Sequence, residues 1–282
     1  MPVTVLPAPT WRVPKLAVAL ATVSPSSSPL PVIEVAGSVD ARVADTLLAE
    51  ADACDAELAR GHSRGWMHGL PQAIKDLANV AGLRTSLGSP LMRDFVPTED
   101  GLMAARMKAA GCIVIGKTNT PEFGLGSHTF NEVFGPTRNA FNTSKSAGGS
   151  SGGAAVALAQ RLLPVADGSD FMGSLRNPAG WNHVFGLRPS AGRVPMWPAN
   201  DVWLTQLGTE GPMGRSVRDV AMLLSVQAGR DTRAPLSIAQ DGSAFAAPLD
   251  SDPRGQRIGW LGDLNGHLAT EPGIMSGLEA AL

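Results

Sequence analysis

A chain of 282 residues has room for one large domain or two small ones, and its 23 Lys and Arg against 25 Asp and Glu leave a formal charge of -2. No block of like charge occurs, which argues against a phosphate-backbone ligand, because that mode of binding rests on a basic patch. With 44% hydrophobic and 17% charged residues, 32 Gly and 22 Pro, the composition is that of a folded, turn-rich protein and excludes disorder over the whole length.

Residues 1–37 read as a poorly ordered lead-in rich in Pro and Ser, and residues 38–282 as one domain. Within the lead-in, the apolar run Leu16 to Val23 is far short of the ~20 residues of a membrane span; behind Arg12 and Lys15 it weakly resembles an export signal. Ser38 is placed to cap a helix whose face carries Val43, Leu47, Ala51, Cys54 and Leu58 and which Gly61 stops. A short strand is predicted over Gln72 to Leu77. A helix from Thr98 to Ala110 follows, with Glu99 and Asp100 in its first turn, and leads into a strand from Cys112 to Lys117. A helix over Ser151 to Arg161, a strand near Leu163 to Ala166, and a helix from Ser216 with Asp219 completing a capping box continue the alternation. The last elements are a strand at Ile258 to Leu261 and a helix opened by Pro272, with Ile274, Leu278 and Leu282 on one stripe. Strands alternating with helices give an α/β fold class. That last stripe runs to the final residue, so the chain is expected to be cut short at its C-terminus.

The two cysteines, Cys54 and Cys112, match no metal or redox spacing and read as reduced core thiols, which makes a cytoplasmic location the default. The five histidines show no pairing that would set two imidazoles on one helix face, so no metal is expected. Tyr is absent.

Two general motifs match formally. Gly111 to Thr118 (GCIVIGKT) fits the P-loop expression, but its variable positions are those of a buried strand, and a helix precedes it where a strand should. Gly148 to Gly153 (GGSSGG) fits a hydrolase nucleophile elbow, yet neither downstream histidine, His183 or His267, sits in a recognisable setting. The same six residues run into the helix-forming Ala154 to Ala159, where four glycines open the backbone to close approach. A third segment, GSDFMGSLRNPA at 168–179, flanks Ser174 with small residues and with Asp170 and Arg176.

Taken in order, GLPQAIKD (69–76), GKTNTPEFG (116–124), GPTRNAFN (135–142), GGSSGG (148–153), GSDFMGSLRNPA (168–179) and GLRPSAGRVP (186–195) closely resemble the amidase signature family, over roughly residues 52–229. The resemblance implies a central mixed β-sheet covered by helices, here incomplete at the C-terminus. It implies that Lys75 is the catalytic base, Ser150 a bridging serine in a cis peptide, and Ser174 the nucleophile. It also implies an oxyanion hole of backbone N–H groups at Phe171, Met172, Gly173 and Ser174, and loop support from Ser151, Asp170 and Arg176.

The residue types suit that chemistry. A serine hydroxyl needs a base, and lysine can be one only when neutral. Bringing its pKa from ~10.4 to 7 or 8 costs about 4 kcal/mol, which burial can supply. On a strand, Ala73, Lys75 and Leu77 share one face while Asp76 points away, so no adjacent carboxylate would hold the amine charged. The mechanism requires no metal or organic cofactor. The expected partner is a small-molecule amide; no nucleic acid or membrane is expected, and self-association stays open.

Met172 stands where the family commonly has a second glycine, and family members are considerably longer. The expected function is therefore amide hydrolysis, with two alternatives: the glutaminase subunit of a tRNA-dependent amidotransferase, and an inactive fragment. The segment after Val194 resembles that subunit poorly; its Trp197 and Trp203 read equally as an apolar substrate wall or as core aromatics.

Overall fold

The computed structural model describes residues 33–34, 41–199, 201–203, 207–250, 252 and 254–282. They divide into two compact units, one up to Ala247 and one from Pro248 to Leu282, a division that falls inside the stretch read from sequence as one domain. The expected cap Ser38 and the export-like run lie outside the described residues.

The first unit is built on two small three-stranded sheets. In one, β2 (Pro71–Lys75) runs parallel to β3 (Ile113–Thr118), with Lys75 opposite Thr118, and β1 (Ile33–Glu34) adds antiparallel to β3. A parallel pair needs a crossover, and α2 (Leu102–Ala109) provides it. Here the P-loop-like segment is simply β3, with Ile113 and Ile115 buried. In the other sheet, β8 (Thr209–Gly214) lies between β6 (Ala166–Asp170) and β7 (Phe185–Gly186), all antiparallel. The strands of the expected central mixed sheet pair here in these two groups. Where β2 meets β6, the Lys75 backbone N–H donates to the Asp167 carboxylate at 3.0 Å.

Alternation along β2 sorts the core. Ala73 joins a cluster with Cys54 of α1 (Ala41–Ala59) and with Ala154, Ala155 and Leu158 of α3 (Gly152–Ala159). Ile74 joins another with Met103 and Met107 of α2 and Leu223 of α5 (Val217–Gln227). Lys75 therefore points to the side of Ala73 and α3, and Asp76 to the other. The short α4 (Arg176–Trp181) and a two-stranded hairpin, β4 (Phe130–Asn131) with β5 (Gly135–Pro136), complete this unit.

Several boundaries differ from the sequence expectation. Helix α2 starts at Leu102 rather than Thr98, because the Asp100 carboxylate takes the Ala81 N–H and the Lys108 ammonium and Gly101 is extended. Strand β6 begins at Ala166, not Leu163; Leu163 and Val165 are buried without strand pairing, which moves 167–170 onto the strand. Residues 258–261 form no strand, and Ile258 and Leu261 are exposed. In the second unit, α6 (Ile274–Glu279) starts after Gly273, which is left-handed at φ 88°, and its expected stripe is solvent-exposed. The capping box of α5 forms between Ser216 and Asp219 as its spacing predicts. Both cysteines are buried free thiols, and burial pushes Cys112 up to about 12. Among the described residues, no helix is long and apolar enough to cross a membrane.

Candidate active site

Lys75 ends β2 and is 1% exposed. Its Nζ lies 2.7 Å from Ser150 Oγ, 2.8 Å from Ser151 Oγ and 3.0 Å from Ser169 Oγ. Burial pulls this lysine down to about 7, against the opposing pull of the Asp167, Asp170 and Glu210 carboxylates. Asp76 carries no part of this, since it faces away and accepts from Ser86 and the Gly88 N–H. A neutral amine has two N–H bonds and one lone pair. Ser151 Oγ is already within reach of the Ser169 carbonyl at 3.2 Å, so its proton has an acceptor and Lys75 donates to it. Ser150 is then free to turn its own proton toward the lone pair.

The serines are placed by the entry to α3. Ser151 is the N-cap residue, and the Gly149–Ser150 peptide bond is cis. Thr129, on the approach to β4, holds this turn: its hydroxyl donates to the Gly148 carbonyl at 2.9 Å and accepts the Gly152 N–H at 3.0 Å. Gly153 is required for contact with β3, because a Cβ there would run into the Asn119 backbone. Ser151 N–H donates to the Ser174 carbonyl at 3.2 Å, which sets Ser174 beside the Ser150–Ser151 pair. Ser174 itself is half-buried, and its hydroxyl makes no hydrogen bond among the described residues.

Asp170 ends β6 and organises the loop before Ser174. Its buried carboxylate accepts the N–H groups of Gly173 (2.8 Å) and Leu175 (3.0 Å), Arg176 Nε (3.1 Å) and an Arg188 nitrogen (2.8 Å). Burial resists the charge, but the Arg176 guanidinium, the two N–H groups and Arg188 outweigh it and hold Asp170 well below the usual carboxylate range. The Gly173 N–H, one of the expected oxyanion donors, is engaged by Asp170 in this arrangement. Among the described residues, the N–H groups of Phe171, Met172 and Ser174 make no hydrogen bond. Met172 is 82% exposed, so its side chain does not close this loop.

Five contributors were not foreseen from sequence: Thr129, Asp167, Ser169, Arg188 and Glu210. Arg188 clamps the loop by also donating to the Asp170, Phe171 and Leu207 carbonyls. Its place in GLRPSAGRVP, within the matching blocks, was the available signal. Neither Trp197 nor Trp203 lines the cavity of about 220 Å³ whose walls include Val194, Pro195, Met196, Val202, Leu236 and Ser237. Trp197 carries the Arg233 guanidinium 5.9 Å from its ring centre, and Trp203 is exposed.

Comparison with known proteins gives a consistent result. The sequence profile described as Amidase matches residues 34–281. The glutamyl-tRNA(Gln) amidotransferase A subunit of Azotobacter vinelandii is 42% identical over 77% of this chain and 44% of its own length; that of Thermus thermophilus is 42% identical over 84% and 48%. Among solved structures, a bacterial aryl acylamidase superposes with a TM-score of 0.72 at 32% identity, covering 80% of this chain and 46% of its own. The peptide amidase of Stenotrophomonas maltophilia gives 0.69 at 35% identity, with 82% and 47% covered. The chain spans less than half the length of these relatives.

Proposed function

The chain belongs to the amidase signature family, and on that premise we propose that it hydrolyses a carboxamide C–N bond through an acyl-enzyme on Ser174, with neutral Lys75 as base acting through Ser150. The observation that carries this reading is a buried amine, pulled down to about 7, in direct contact with Ser150 at 2.7 Å. Ser174 Oγ attacks the carbonyl carbon while its proton passes to Ser150 and the Ser150 proton passes to Lys75. Negative charge developing on the carbonyl oxygen is met by the open N–H groups of Phe171, Met172 and Ser174, each such donor being worth about 3 to 4 kcal/mol. Collapse breaks the C–N bond, and the leaving amine takes the proton back from Lys75 through Ser150. Water then attacks the ester along the same relay in reverse and frees the carboxylic acid.

A second reading, glutamine hydrolysis within a tRNA-dependent amidotransferase, is favoured by the names of the curated relatives. Labelling with a serine-reactive fluorophosphonate, mapped by mass spectrometry, tests the shared chemistry. Ser174 should be modified in the wild type, and Lys75→Ala should slow modification by at least about a hundredfold. An unmodified Ser174, or normal labelling without Lys75, would sink the relay. Hydrolysis of anilides rather than glutamine separates the two readings.

A further inference from the structure

The relay leaves one ionisable group unused beside its base. Strands β6 and β8 pair with Ser169 opposite Glu210 and Asp167 opposite Pro212. Side chains directly opposite share a face with Cβ atoms about 5 Å apart, and residues two apart on one strand share that face too. Asp167, Ser169 and Glu210 therefore project from one side of this ladder. Two of the three touch Lys75: Asp167 accepts its backbone N–H, and Ser169 Oγ lies 3.0 Å from its Nζ. Glu210 thus stands next to the serine that contacts the amine, partly buried and with no hydrogen bond to its carboxylate among the described residues.

We propose that Glu210 is an electrostatic neighbour of Lys75 across Ser169, a positioning residue whose carboxyl charge sets how readily that amine becomes a free base. Its importance for turnover rests on the role given to Lys75 above. Burial first and the Asp167 charge second push Glu210 up to about 8, while Lys75 opposes them. The amine at about 7 and the acid at about 8 titrate in the same range, so the charge state of one bears on the titration of the other. Other charges facing the pair are few. Asp170 is saturated by Arg176 and Arg188. The α3 and β7 segments carry no ionisable side chain. From α5, Asp219 comes to the Gly214 end of β8, where it is held by its capping box.

The sequence has five lysines, so ¹³Cε-lysine NMR of the full chain, assigned with Lys75→Arg, reads this amine without requiring turnover. In the wild type the Lys75 resonance should titrate in two steps. Glu210→Gln removes the carboxylate that favours the ammonium, so a single step is expected, with its midpoint about one pH unit lower. Glu210→Asp should keep the two-step curve. A one-step wild-type titration, an unmoved midpoint in Glu210→Gln, or equal shifts in the Gln and Asp variants would overturn the proposal. A one-step wild-type curve overturns the proposal without any variant, so a Glu210→Gln chain that fails to fold does not remove the test. Absence of fluorophosphonate labelling alongside a coupled titration would reject the amidase reading and leave the pairing intact.

Discussion

The proposed chemistry turns on a single buried amine. Lys75 at about 7 is neutral in half the molecules near neutral pH, and each unit below that leaves roughly a tenth as many competent. Labelling of Ser174 should accordingly rise with pH through about 7, and a profile flat from pH 5 to 9 would contradict a lysine base. Asp170 acts differently, by holding the loop geometry. Asp170→Asn loses the charge that Arg176 and Arg188 grip and should slow Ser174 labelling on the order of a hundredfold, the cost of a misplaced catalytic group, while leaving its pH midpoint unmoved. Lys75, Ser150 and Ser174 could be proposed from sequence because each stands in a block that resembles the family. Ser169 and Glu210 could not be, since a serine and a glutamate on strands acquire meaning only when packing brings Ser169 to the lysine and pairing register sets Glu210 opposite that serine.

At the level of elements, the site depends on how strands deliver residues to helix entries. The turn before α3 works because Gly153 packs against Asn119 without a side chain; Gly153→Ala should cost about 1 to 3 kcal/mol through forced overpacking, read as a lowered midpoint in urea unfolding. Ser216→Ala removes one half of the α5 capping box and should cost about 1 kcal/mol, with labelling of Ser174 unchanged. Equal stability of either variant and the wild type would show that the packing or cap contributes nothing. Capping signals are local, which is why α5 was legible from Ser216 and Asp219 alone. Helix α2 misled because Glu99 and Asp100 look like first-turn acids, yet Asp100 is drawn to Ala81 and Lys108 instead.

Across the whole molecule, buried ionisable groups couple function to stability. Glu210 binds its proton more tightly when folded, so its contribution is full below about pH 4.5 and is withdrawn as pH climbs to about 8. Lys75 and Lys117 bind theirs less tightly when folded, so they penalise the fold at low pH and relent only between about 7 or 8 and 10.5. Together these groups place a stability minimum between pH 7 and 8. Melting temperature should fall from pH 5 to 7 and recover toward pH 10, and Glu210→Gln should flatten the fall; a maximum at neutral pH would contradict this balance. The amino-acid sequence alone determined the α/β class, the family and the residues proposed for the lysine–serine relay, because ordered motifs and 2.0 and 3.6 residue periods are written locally. Only the tertiary structure decided that Asp167 takes the Lys75 N–H where β2 meets β6, that the Gly173 amide is already occupied, and that Glu210 lies opposite Ser169. Those outcomes depend on which strands become neighbours, and proximity between segments tens of residues apart is a property of packing rather than of any local pattern.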